Sequence, residues 1–313
     1  MSNRVYGTSR TWSYFYKWPF HKYATHLQYR PSYQLSSQWI CRVFSVLAKS
    51  YCNLNRFKFI NTTHLRQCVR NTGPGGHPLV TVSNHSCTVD DPLFLGMFSY
   101  WELLLNPHKM RWNLGERKII FIRFIYQFFF SRGRIVPIER GDGIYHKGVD
   151  FVLERLRQDN GWLHLFPQGR IVVDKAPAPT QADASGEKQL LEVKKNANEG
   201  TAVEEAPKHR IKWGVGRLIW ECPKTPTVIP FWHVGIDDVL PPFQKWPFKW
   251  IPRLGKKATV LVGEPIELDG LIEELKFRSA TAKEARKEIT DKIEEALFAL
   301  EAQCKELHEQ RKW

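Results

Sequence analysis

No aspartate or glutamate appears in the first 89 residues of this 313-residue chain, and Asp90 is its first acid. The same stretch holds 11 lysines and arginines, so the net charge of +14 is concentrated towards the N-terminal end. These cations have no carboxylate near them in sequence and are interleaved with Trp12, Tyr14, Tyr16, Trp18, Tyr23 and Trp39. Such a mixture suits the headgroup layer of an anionic membrane, where amphipathic rings settle and each nearby Lys or Arg adds about 1 kcal/mol of attraction. An organelle-targeting segment has the same composition, and a nucleic-acid-binding arm or a plain solvated extension can share it. Membrane association is the working reading, with targeting compatible with it and no nucleic-acid partner expected.

A run of about 20 apolar residues, the length a spanning helix needs, is also missing. The two most apolar stretches, 39–48 and 119–130, are shorter and are interrupted by Arg42 and Arg123. The second is either a buried core helix or a monotopic insertion into one leaflet. Residues 243–250 repeat the aromatic-basic mixture and are either a second interfacial segment or a surface loop. Paired cysteine spacing is absent too. Cys41, Cys52, Cys68, Cys87, Cys222 and Cys304 support neither a disulfide framework nor a zinc site, and no metal is expected. Hydrophobic content of 42% with 13% aromatics excludes a wholly disordered chain.

What is present reads as one α/β domain. Residues 1–70 form the basic aromatic arm, with a helix over about 39–54, and the turn from Asn71 to Gly76 separates it from a domain over 71–313. Strands are predicted at 78–83, 134–138, 162–166, 226–230 and 257–262, and helices at 92–105, 117–130, 144–158 and 211–221. This alternation implies a mixed or mostly parallel sheet flanked by helices, with a site at the carboxyl ends of its strands. Residues 172–210 are rich in Ala, Pro, Lys, Glu and Asn and read as a disordered insert. Ile289, Ile293, Ala296, Leu297, Leu300, Cys304 and Leu307 keep helical spacing, which gives one C-terminal amphipathic helix over about 281–308.

The chemistry is sought in Asn84-His85-Ser86-Cys87-Thr88-Val89-Asp90-Asp91-Pro92. On one helix, residues five apart point about 140° away from each other, so His85 and Asp90 can meet only across a bend between two elements. A buried strand precedes them and a helix start follows, with Asp91 as its expected N-cap and Pro92 in the first turn. A carboxylate on one imidazole nitrogen fixes the tautomer and leaves the other nitrogen free as a base. Spacing alone is not diagnostic, because His233 and Asp238 repeat it; there a structural histidine is the plainer reading. Cys87 has nothing beside it to lower its pKa and reads as a packing residue. Arg140 and Arg170 each follow a strand end, where a guanidinium can hold a phosphate in bidentate fashion, and Gly141 and Gly169 allow close backbone approach.

Asn84-His85 with Asp90, then Arg140, then Phe166-Pro167 with Gly169, then Val228-Ile229-Pro230 resemble the glycerolipid acyltransferase family in order and spacing. Lys147-Gly148-Val149-Asp150-Phe151, the run from Lys212 to Ile219, and Trp232-His233-Val234-Gly235 followed by Asp238-Val239-Leu240-Pro241 narrow the resemblance. They are similar to the branch of that family that moves acyl chains between phospholipids and lysophospholipids and remodels cardiolipin in mitochondria. The likeness covers about 43–307. It implies His85 as general base oriented by Asp90, Arg140 and Arg170 on the acceptor's phosphate, Gln168 and Gly169 as further substrate-binding positions, and backbone N–H groups near Gly169 on the oxyanion. It further implies no cofactor, no free coenzyme A, and a mitochondrial membrane surface facing the intermembrane space. Three features depart from the pattern: Gln168 replaces the family's Glu, the insert is longer, and the arm is longer and more basic. An acyl-CoA-dependent lysophospholipid acyltransferase and a non-catalytic membrane-binding protein stay open as alternatives.

Overall fold

The computed structural model of the protein describes residues 31–139, 141, 143–172, 210–241 and 252–311. The first 30 residues, the insert over 173–209 and the aromatic-basic run at 243–250 lie outside the described residues, and so do the readings made of them. In chain order the elements are α1 (Pro31–Leu54), β1 (Arg56–Ile60), α2 (Thr62–Arg70), β2 (Leu79–Ser83), α3 (Asp90–Leu93), α4 (Tyr100–Leu105), β3 (Trp112–Glu116), α5 (Arg117–Ile120), α6 (Phe124–Arg132) and β4 (Ile135–Ile138). There follow α7 (Lys147–Asp159), β5 (Trp162–Leu165), α8 (Gly214–Trp220), β6 (Thr227–Val234), β7 (Lys257–Val262), α9 (Asp269–Phe277) and α10 (Ala282–Glu309).

The strands form one sheet in the order β1-β7-β6-β2-β5-β3-β4. Five of them run parallel, and β7 turns antiparallel to β6 and takes β1 with it. β2 is buried along its whole length, as its apolar and β-branched sequence requires of a central strand covered on both faces. β6 passes through Pro230 rather than ending there. The β6–β7 ladder begins only at Phe231 opposite Val262, so the missing N–H of Pro230 interrupts no pair on that side.

Several elements differ from the sequence reading. β1 and α2 fall in the segment read as an arm, yet β1 pairs with β7 from Arg56 opposite Lys257 to Ile60 opposite Leu261 and is an edge of the sheet. The helix expected at 92–105 is broken by a 3₁₀ turn, Phe94–Met97, and restarts as α4. Gly96 lies so close to α1 that a Cβ there would meet Cys52 Sγ at 2.6 Å. Ser99 then caps α4 reciprocally with Glu102. The helix expected at 117–130 is likewise split into α5 and α6. At the C-terminal end α10 starts at a Thr281–Glu284 capping box and lays Ala285, Ile289, Ile293, Leu297 and Cys304 on the sheet. Among the described residues no helix is long and apolar enough to cross a membrane.

Candidate active site

β2, β5 and β6 are neighbours and parallel, so their carboxyl ends deliver three segments to one edge of the sheet. β2 delivers 84–90, β5 delivers 166–172, and the last residues of β6 bring His233. The loop after β2 is folded by one carboxylate oxygen. Asp90 Oδ2 accepts the backbone N–H groups of Ser86 (2.7 Å) and Cys87 (2.9 Å) and lies 2.9 Å from His85 Nδ1. Asp90 is wholly buried and the His85 side chain is 20% exposed. Because a carboxylate can only accept, Nδ1 carries the ring proton and Nε2 keeps its lone pair. His85 and Asp90, paired from sequence, are thus in direct contact.

Neighbouring segments fix the ring. Phe166 stacks on it with centroids 4.1 Å apart and planes 24° from parallel. Gln168 Oε1 accepts the His85 backbone N–H at 3.0 Å, and the Val172 N–H donates to the His85 carbonyl at 2.8 Å. A glutamate would accept the same N–H, so the amide at 168 keeps the contact while dropping the charge.

The remaining expected residues fall as follows. Gly169 has φ +67, and the space beside its Cα is filled by Lys212, whose Cε would lie 2.6 Å from any added Cβ. Its N–H donates to the Phe166 carbonyl at 3.0 Å and closes the turn, so Gly169 itself is not a spare donor for an oxyanion. Arg170 is exposed and makes no hydrogen bond or ion pair with a described residue. Arg140 lies outside the described residues; Glu139 before it pairs with Arg117 at 2.6 Å. Asp91 is not the N-cap: that position is Val89, without a side-chain cap. Buried Arg111 takes the Asp91 carboxylate instead, with Nε 2.7 Å from Oδ1.

Two further histidines are buried near the pair, His233 facing Asp90 and His164 packed behind Phe166, the ring that stacks on His85. His233 is buried with Nε2 2.9 Å from the Asn84 carbonyl and 3.5 Å from Asp90 Oδ2; its Asp partner is Asp90, not Asp238. Asn84 also clasps the His233 backbone, accepting its N–H at 2.9 Å and donating to its carbonyl at 3.0 Å. His164 lies in the same layer, Nδ1 3.0 Å from Thr81 Oγ1 and its ring stacked on Phe231. Burial drives the pKa of both below the ordinary imidazole value, for His164 with Arg111 adding to it and for His233 with Asp90 opposing it. Both are therefore neutral, and His85 is the one imidazole of the three that reaches solvent. Cys87 is no rival nucleophile. Burial, with the Asp90 charge beside it, pushes its thiol up to about 12, and Sγ donates to the Leu240 carbonyl.

A family model described as Acyltransferase matches residues 56–234 of this chain. The chain belongs to the acyltransferase family. It is 33% identical to a tafazzin of Drosophila melanogaster over 276 residues, which are 88% of this chain and 63% of that protein. A tafazzin of Dictyostelium discoideum is 32% identical over 77% of this chain and 73% of its own length. An N-acylphosphatidylethanolamine synthase of Arabidopsis thaliana is 34% identical over 72% of this chain and 68% of its own length. This acyltransferase thus spans somewhat less than two thirds of the Drosophila protein. The acyltransferase match starts at Arg56, the first residue of β1, so the matched region takes in the edge strand that the sequence reading had placed in the arm.

Proposed function

We propose that the protein is a membrane-interfacial phospholipid acyltransferase that works as a transacylase, moving an acyl chain from a phospholipid to a lysophospholipid such as monolysocardiolipin without coenzyme A. The observation that carries the reading is the His85 Nδ1–Asp90 Oδ2 contact of 2.9 Å, which leaves Nε2 as an unprotonated base on a partly exposed ring. In the reaction Nε2 takes the proton of the acceptor hydroxyl as its oxygen attacks the ester carbonyl of the donor, a general-base contribution of about 10² to 10⁴ in rate. Collapse of the tetrahedral intermediate breaks the donor's ester bond. The imidazolium then returns the proton to the departing lysophospholipid oxygen. No acyl-enzyme forms, in keeping with the raised thiol of Cys87. Arg170, and Arg140 by the resemblance, would hold the acceptor's phosphate.

An apolar surface supports the membrane part of the reading. Leu35, Trp39 and Leu47 of α1 and Trp101 and Leu105 of α4 are exposed, and α1 packs against α4 and α6. Phe124 and Ile125 of α6 extend it, with Phe124 79% exposed. α5 and α6 follow the carboxyl end of β3, the sheet edge that also carries His85, so this surface would meet lipid beside the base. Exposed patches of this kind mark membrane or protein contacts. The similarity to tafazzins favours mitochondrial membranes, facing the intermembrane space, as the setting.

The test is transfer in liposomes holding labelled phosphatidylcholine and monolysocardiolipin. Label is expected in cardiolipin with no coenzyme A present. Transfer only from added acyl-CoA would make the protein an acyl-CoA-dependent acyltransferase instead. Label in an amide of phosphatidylethanolamine, the product named by the Arabidopsis relative, would move the acceptor from hydroxyl to amine.

A further inference from the structure

Asp90 faces two imidazoles. Among the described residues every hydrogen bond to its carboxylate falls on Oδ2, while Oδ1 is buried with no partner. His233 Nε2 stands 3.5 Å from that same Oδ2 and 2.9 Å from the Asn84 carbonyl. A carbonyl oxygen only accepts, so Nε2 carries the His233 proton and donates it to Asn84, with Asp90 Oδ2 near the same nitrogen. Nδ1 is then a bare lone pair, buried and unpartnered among the described residues, and the ring as a whole lies beside that of Phe94 with centroids 5.2 Å apart. The Nε2–H to Asn84 is thus the one hydrogen bond that the His233 ring makes among the described residues.

We propose that His233 is a positioning residue of the transfer site: its single Nε2–H, donated to the Asn84 carbonyl and facing the Asp90 carboxylate, sets where Oδ2 stands and so keeps His85 in the Nδ1–H form with Nε2 bare. This rests on the reading of His85 as the base. The roles cannot be exchanged, because the His233 ring is wholly buried whereas that of His85 is open to the sheet edge. The mechanical link is short. Asn84 precedes His85, and the reciprocal Asn84–His233 backbone clasp ties the end of β2 to the end of β6. A displaced His233 therefore moves the peptide that carries the base as well as the oxygen that orients it.

Three substitutions separate the donor from the bulk. In His233→Gln the side-chain amide nitrogen reaches the place of Nε2, in His233→Asn it reaches only that of Nδ1, and His233→Leu keeps volume and offers no donor. Full-length protein is assayed for transfer in liposomes, with thermal melting to establish folding. In parallel, ring ¹⁵N spectra of histidine-labelled protein in micelles report the His85 tautomer, its signal assigned by its loss in His85→Ala. Leu and Asn are expected to lower kcat by roughly 10- to 100-fold with the apparent KM for acceptor unchanged. Gln is expected to stay within about threefold of the parent, and the His85 Nδ1–H signal to survive in Gln and be lost in Leu and Asn. A folded Gln variant as impaired as Leu, a Leu variant as active as the parent, or a His85 tautomer unchanged in all three would overturn the proposal. Absence of transfer by the parent protein would defeat the transacylase reading instead, and the ring spectra would still decide the role of His233.

Discussion

Replacing Asp90 by Asn removes a charge while leaving the shape, and the structure gives the size of the loss. All three bonds to the carboxylate converge on Oδ2, at 2.7 to 2.9 Å. The Asn amide oxygen can take that place and keep the Ser86, Cys87 and His85 donors, with the NH₂ group in the unpaired position of Oδ1. The His85 tautomer then survives and only the counter-charge to the imidazolium is lost. With charge centres about 4 Å apart and an effective dielectric of about 20, that attraction is about 4 kcal/mol, of which a neutral amide recovers a part. The expected loss of transfer is therefore about 10²- to 10³-fold, or roughly 3 to 4 kcal/mol in the barrier. Folding should move by no more than about 1 kcal/mol, since removing a wholly buried charge relieves desolvation while weakening three charge-assisted bonds. Initial rates in liposomes and urea melts of the same preparations check both halves. An Asp90→Asn enzyme with more than a tenth of the parent rate, at parent stability, would refute the charge argument.

Gln168→Glu should keep near-parent activity, because either side chain accepts the His85 N–H, whereas Gln168→Leu strands that donor and should cost about 1 to 3 kcal/mol together with most of the transfer rate; urea melts and initial rates compare them. Cys87 should resist iodoacetamide at neutral pH in the folded protein, and alkylating the half-buried Cys68 should leave transfer intact, as peptide mapping and assay of the treated protein will tell. Glu102 answers a pH question. Burial pushes its pKa up, but the Ser99 backbone N–H, Arg66 and Arg70 outweigh it and hold the carboxyl down at about 2, against an ordinary 4.5. Its contribution to stability is full above about 4.5 and is lost as pH falls towards 2, so Glu102→Gln should destabilise by about 1 to 2 kcal/mol at pH 7 and by less at pH 3.5.

The sequence was most legible where the geometry is local. His85 and Asp90 are five residues apart across one bend, and the order of strand, histidine, acid and helix start was enough to bring them together. The third and fourth members of the cluster come from register. His164 lies opposite Thr81, and His233 follows Phe231, which lies opposite Ser83, across parallel ladders that join segments some 80 and 150 residues apart. His233 had two signals, its spacing to Asp238, read as that of a structural histidine, and the block from Trp232 to Gly235, read as a family resemblance without a role. Asp91 misled because a free acid before Pro92 looks like a cap until Arg111, twenty residues on, claims it. β1 and β3 were missed for another reason. Both are five residues long and only half-buried, and β3 contains Asn113 and Gly115, so neither gives a long apolar run.

The central claim is that His85 is the base for direct acyl transfer between lipids. It is tested most directly by the initial rate of acyl transfer from labelled phosphatidylcholine to monolysocardiolipin, without coenzyme A, by the parent protein and by His85→Ala bound to the same liposomes. The account predicts a fall of about 10²- to 10⁴-fold with liposome binding unchanged. A His85→Ala protein that transfers within tenfold of the parent rate would contradict it.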